Sequence, residues 1–336
     1  MTSPNPSITI VGAGAIGGLV AARLAHAGVA VNVLARGAQL EAIRRDGLTV
    51  IEGQSQYTAR VSATADAASL GPQDLVFLCL KGQALAQSAA TLAPLVGAHT
   101  HIVSAMNGVP WWFLNAFGGA HANARIEAVD PGGAVSAALP PAQASGCVVH
   151  LSSTIAAPGV IRKGNGNLLI VGASSPALAE RAEQARALLT RAGFEVVAPA
   201  SIQAEIWAKL WGNMTMNPIS ALTRSTADVI LDDPLTAGLV AAIMTEARAV
   251  GEQLGIGLAM TIDERNAITR KLGAFKTSML QDVEAGRTLE VEALLGAPHE
   301  LAQRTGVAAP ALGMLYGLAR QLDANLEAAR RATAQA

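Results

Sequence analysis

Ile8-Thr9-Ile10-Val11-Gly12-Ala13-Gly14-Ala15-Ile16-Gly17 is the stretch that decides the fold. A short β-prone run leads into G-x-G-x-x-G, and residues 15–27 then follow a helical pattern that ends near Gly28. In such a turn Gly12 permits the tight bend, Gly14 lets backbone approach a pyrophosphate, and Gly17 lets helix pack closely on strand. The N–H groups that open the helix, around Ala15 and Ile16, offer a partial positive charge to phosphate. Alone the pattern is weak; here the strand before it, the helix after it and a second strand at Val29 to Leu34 supply the context it needs.

Working outward, Leu75-Val76-Phe77-Leu78 and His101-Ile102-Val103-Ser104 read as buried parallel strands, with helices over 38–46 and 83–93 between them. The alternation predicts a parallel sheet with crossover helices. Residues 118–145, rich in Ala, Gly and Pro, read as loops with at most one strand. Short strands near 147–151, 159–161 and 168–171 suggest an antiparallel extension; a helix over 176–192 and a strand at 194–197 close this half. From Ser201 onward the reading is helical: 202–223, 234–253, 261–285, 287–305 and 310–330, with Pro218, Pro234, Pro298 and Pro310 near boundaries or kinks. The expected fold is an α/β Rossmann-type dinucleotide-binding domain, residues 1–198, followed by an all-helical C-terminal domain, residues 199–336, for substrate and dimerisation.

The chain has 336 residues, a formal net charge of −1 and only 15% charged residues, with a mean hydropathy of +0.35. That balance removes the electrostatic case for a general nucleic-acid or membrane-surface binder. The uncharged run 8–22 lacks a basic flank and is too short for a bilayer span, so no targeting segment is read and a cytoplasmic protein is expected. Two cysteines, Cys79 and Cys147, are too few for a disulfide scaffold. His99 and His101 alternate on a strand without a matching Cys or acid cluster, so no metal is expected.

Cofactor choice turns on the end of the second strand. An NAD site wants an acid there; this chain has Leu34-Ala35-Arg36-Gly37 and no acid until Glu41. A guanidinium binds a 2′-phosphate through paired donors, which favours NADP(H), unless Arg36 is only a solvated helix-flanking charge. In the second half, Lys209, Asn213 and Asn217 lie at i, i+4 and i+8. Each step turns the stripe by only about 40°, so the three share a helix face. The stripe lines a cleft or is solvated, with Lys209 pairing to Glu205.

With these motifs in view the chain resembles the ketopantoate reductases (2-dehydropantoate 2-reductases). The resemblance rests on Lys209-x-x-x-Asn213-x-x-x-Asn217-Pro218, on Lys276-Thr277-Ser278-Met279-Leu280-Gln281-Asp282, on Asn107-Gly108, and on Lys81 after its strand. It implies NADPH-dependent reduction of a 2-keto acid, with Lys209 as general acid and Glu290 as a second catalytic or substrate-orienting residue. Asn107, Asn213, Asn217 and Ser278 take substrate-contacting positions; Gly12, Gly14, Gly17, Arg36, Lys81 and Asn107 take cofactor positions. A lysine partly desolvated between Trp207 and Trp211 would have a lowered pKa. The second-domain residues are expected to converge with Asn107 beside the glycine turn. The alternatives are another NADP-linked hydroxyacid or opine-type dehydrogenase, or a non-catalytic NADP-binding sensor.

Two departures from the family pattern bear on substrate. Trp111 and Trp112 follow Asn107-Gly108-Val109-Pro110, and Leu295 stands where the family has Asn. If these line the pocket, preference for ketopantoate over 2-keto acids without its hydroxyl is relaxed. If the tryptophans pack under the loop and Leu295 faces the core, the pocket is an ordinary one.

Overall fold

In the computed structural model, which describes residues 6–335, the opening run forms β1 (Ile8–Val11) and α1 (Ala15–His26) around the glycine turn. Then come β2 (Asn32–Leu34), α2 (Gly37–Asp46), β3 (Leu48–Glu52), β4 (Ser55–Ala59), β5 (Ser62–Thr64), β6 (Leu75–Leu78), α3 (Gly82–Leu92) and β7 (His101–Ser104). After α4 (Ala134–Ala138), two 14-residue strands, β8 (Ala144–Ala157) and β9 (Val160–Ala173), form a long antiparallel pair. α5 (Ala179–Arg191) and β10 (Glu195–Val197) complete this half.

The ten strands among the described residues make one sheet, ordered β4-β3-β9-β8-β7-β6-β1-β2-β5, with β10 added to β9. β7, β6, β1, β2 and β5 run parallel, so their carboxyl ends share an edge with the glycine turn. β1 and β6 are buried along their whole length, as their continuous apolar runs require. Leu19, Leu24 and Ala22 of α1 pack with Ile8, Ile10 and Phe77 in the core of this half.

The helical part comprises α6 (Ile202–Thr223), α7 (Ala227–Asp232), α8 (Pro234–Gln253), α9 (Ile262–Arg270), α10 (Ser278–Glu284), a π-helical turn at Glu292–Gly296, α11 (Ala297–Thr305) and α12 (Pro310–Gln335). Two expected helices are interrupted. The run 261–285 breaks at Gly273, which takes φ +63°, and restarts where Thr277 caps α10 by accepting from the Leu280 N–H. The run 287–305 becomes helical only from Val291, and passes through the π turn before α11.

The chain divides into two compact units. One holds the described residues up to Met106 together with Gly133–Glu205; the other holds Asn107–Gly132 with everything from Ile206 on. The stretch 107–132, expected in the first half, thus groups with the helices, and the split falls inside α6. No helix among the described residues is long and apolar enough to cross a membrane.

Candidate active site

In the first unit the glycine turn is built as its chemistry demands. Gly12 has φ +96°, and a Cβ there would lie 2.9 Å from the Cys79 carbonyl oxygen. A Cβ on Gly17 would overlap the Gly12 carbonyl oxygen, so the close crossing of α1 over β1 needs glycine. Gly14 is the reverse case: a Cβ there meets nothing within 4 Å, because the position faces open space. Gly14 is also the N-cap of α1 and places no side chain over its first N–H groups, which begin at Ala15 and Ile16.

A cleft of about 240 Å³ opens beside this turn, lined by Gly12, Ala13 and Gly14, by Arg36 at the end of β2, and by Leu80 and Thr91 around α3. Arg36 is exposed and caps α2 in extended conformation. No carboxylate lines the cleft among the described residues. Several lining residues carry no sequence motif, Gln39, Thr91 and Ile155 among them. Gln39 donates to the Ala13 carbonyl (2.7 Å) and accepts from the Gly159 N–H (2.6 Å), tying the glycine turn to the turn between β8 and β9. Thr91 carried no motif, and Ile155 is an apolar residue 48% exposed on β8. Lys81 is the half-buried N-cap of α3, directly after the β6 end. Cys79 lies beneath the turn, where burial pushes its thiol up and away from the reactive thiolate form.

In the second unit three predicted residues meet. Lys209 Nζ donates to Asn107 Oδ1 at 2.9 Å. Asn107 Nδ2 faces Glu290 Oε2 at 3.5 Å, the outer limit of a hydrogen bond. Glu290 is only 8% exposed, while Asn107 and Lys209 are half-buried. The arrangement joins an ammonium, an amide and a carboxylate, so a cation able to give up a proton is held by a neutral acceptor with an anion beyond it. Asn213 is half-buried and Asn217 buried further along α6; Ser278 is exposed at the first position of α10.

The expected setting of Lys209 between tryptophans is corrected. Trp207 and Trp211 are fully buried, and their indole N–H groups donate to the Ala247 (3.2 Å) and Met244 (2.7 Å) carbonyls of α8. Lys209 lies two residues from each, about 200° around the helix, on the face turned away from them. Trp111 and Trp112 are 3% and 1% exposed and Leu295 is 0% exposed. Their burial favours packing under the loop and in the helical core over a role as pocket wall. His101 donates or accepts at Nε2 with Ser145 Oγ (2.8 Å), inside the sheet.

Comparison with known proteins places these geometries in a family. The family model described as "Ketopantoate reductase PanE/ApbA" matches residues 8–111, and "Ketopantoate reductase PanE/ApbA C terminal" matches 201–323. A 2-dehydropantoate 2-reductase from Mesorhizobium japonicum is 42% identical over 94% of this chain and 97% of its own length. A crystal structure assigned to the ketopantoate reductases, from Ralstonia solanacearum, superposes with TM-score 0.88 at 46% identity, covering 95% of this chain and 98% of that one. D-mandelate dehydrogenase with NADH shares the fold at TM-score 0.81 and 18% identity, covering 96% and 99%. With both halves matched by the family and a relative this similar over nearly its whole length, the chain belongs to the ketopantoate reductases, a family of dinucleotide-binding oxidoreductases.

Proposed function

We propose that this protein reduces a 2-keto acid with NADPH, converting 2-dehydropantoate to pantoate in pantothenate biosynthesis, with Lys209 as the general acid. The observation that carries the reading is the bond from Lys209 Nζ to Asn107 Oδ1, with Glu290 beyond it. The open space at Gly14, the uncapped start of α1 and the cleft free of carboxylates fit a phosphorylated dinucleotide. Backbone N–H groups at Ala15 and Ile16 would hold the pyrophosphate, and Arg36 would pair with the 2′-phosphate. Lys81 holds the substrate end of the cofactor site. When bound, the reduced nicotinamide supplies the hydride.

Reduction leaves negative charge on the ketone oxygen. Lys209 meets that charge with a proton, and its bond to Asn107 keeps Nζ aimed. Glu290 balances the ammonium and orients substrate. Asn213, Asn217 and Ser278 supply neutral donors for the carboxylate and hydroxyl of the keto acid. A cytoplasmic homodimer formed through the helical unit fits this role; Met314 and Leu318, one turn apart on α12, are 65% and 57% exposed.

An NADPH-oxidation screen over a panel of 2-keto acids tests the reading. Turnover with 2-dehydropantoate as the best substrate is expected. Best turnover on a different hydroxyacid or opine precursor would reassign the enzyme, and tight NADPH binding without turnover on any of them would make it a sensor.

A further inference from the structure

The helix that follows Glu290 contains a defect written into the sequence. At the π turn the Ala297 N–H bonds to the Glu292 carbonyl, one residue further back than an α-helix would take it. The Ala293 carbonyl thereby loses its α-helical donor. Its next available donor along the helix would be residue 298, which is proline and has no N–H. Ala293 is 4% exposed, so this carbonyl must find a partner inside the protein. The partner is the Val109 N–H, at 2.9 Å.

The residue between Val109 and Asn107 shows how closely the two segments meet. Gly108 has φ +77°, and a Cβ there would overlap the Ala293 carbonyl, lying 2.5 Å from its carbon and 2.8 Å from the Ala293 Cβ. Only glycine permits both the turn and the approach. Glu290 directly precedes this helical segment, and its carbonyl accepts from the Leu294 N–H (3.2 Å). One seat therefore fixes both the loop that presents Asn107 and the segment that presents Glu290.

We propose that the π turn at Glu292–Gly296, whose freed carbonyl Pro298 has no N–H to fill, is a positioning device for proton delivery: it seats Gly108-Val109 and so holds Asn107 between Lys209 and Glu290. Gly108, Ala293 and Pro298 act through Asn107 and touch neither substrate nor cofactor. The inference rests on the reading of Lys209 and Asn107 given above.

The test is a double-mutant cycle on the full-length enzyme, with kcat read at saturating NADPH and 2-dehydropantoate and NADPH binding read by nicotinamide fluorescence. Gly108→Ala should lower kcat about 10- to 100-fold, as a displacement near 1 Å does at a reacting centre, with NADPH Kd within about twofold of wild type. Combined with Asn107→Ala, it should be no worse than Asn107→Ala alone. Effects that multiply, or a Gly108→Ala enzyme with wild-type kcat, would overturn the proposal while leaving Asn107 catalytic. Wild-type turnover in Asn107→Ala would remove the reading beneath it as well. If Gly108→Ala does not fold, Pro298→Ala serves instead. It restores an N–H that competes for the freed carbonyl, and should show the same kcat loss and the same non-additivity; wild-type kcat there overturns the proposal.

Discussion

The glycine turn of the first unit and the Lys209 group of the second solve their problems in different ways. The turn is made of backbone. Its three glycines lie within six residues: a local distance excludes any side chain at Gly12 and Gly17, while Gly14 leaves open space above the turn. The Lys209 group is made of side chains brought from afar, with 102 residues between Lys209 and Asn107 and 183 between Asn107 and Glu290. A local backbone device can be read from a short string. A long-range side-chain device is legible only once the fold has joined its parts, and it depends on packing elsewhere to stay in register. The two regions should therefore fail differently when altered.

The largest effect is expected at Lys209. Lys209→Ala should lower kcat by about 10²–10⁴ with NADPH binding nearly intact. Lys209→Arg should be almost as poor, since a guanidinium keeps the charge but does not release a proton. Good activity in Lys209→Arg would show that the cation, not the proton, matters. Next comes substrate choice. With Trp111, Trp112 and Leu295 buried, the pocket should keep its partner for the substrate hydroxyl, and 2-dehydropantoate should exceed 2-ketoisovalerate in kcat/KM by about 10²-fold or more. Near-equal values would mean that the indoles reshape the pocket after all.

A smaller effect is expected at Arg36. Arg36→Ala should erase most of the preference for NADPH over NADH, about 10- to 150-fold for a charge-assisted contact of roughly 1.5–3 kcal/mol. Equal weakening toward both cofactors would show that Arg36 does not read the phosphate.

The smallest effect concerns stability, away from both sites. His101 is 2% exposed, and burial first, then Arg181, push its imidazole from the ordinary 6.5 down to about 4. A folded value below the unfolded one means that its contribution is complete above about pH 6.5, declines as pH falls and is gone below about 4. Between pH 7 and pH 5 wild type should lose about 2 kcal/mol more than His101→Gln in urea unfolding. Parallel losses would show that the imidazole titrates normally.

Sequence reading captured the elements whose burial is continuous or whose punctuation is strong. β1, β6 and β7 were legible as apolar runs, and α6 and α8 as long helices bounded by Ser201 and Pro234. β3, β4 and β5 were not. β4 and β5 end the sheet on opposite sides, and their Ser-Gln-Tyr-Thr-Ala and Ser-Ala-Thr sequences are polar because an edge strand has little to bury. The π turn was hidden because its cause is tertiary. Pro298 marks a defect, but only the Val109 N–H shows what the defect serves. For the same reason the tryptophans beside Lys209 in sequence proved to be core residues on the opposite helix face.

The proposed function divides the labour: the first unit would select the cofactor and the second would deliver the proton. Measuring kcat for Arg36→Ala and Lys209→Ala side by side, at saturating NADPH and 2-dehydropantoate, tests it directly. Arg36→Ala should turn over within about twofold of wild type once saturated, because its contact is made equally in ground and transition states. Lys209→Ala should stay at least about 10²-fold slower at any NADPH concentration. Equal kcat losses in the two variants, or full turnover in Lys209→Ala, would contradict the account.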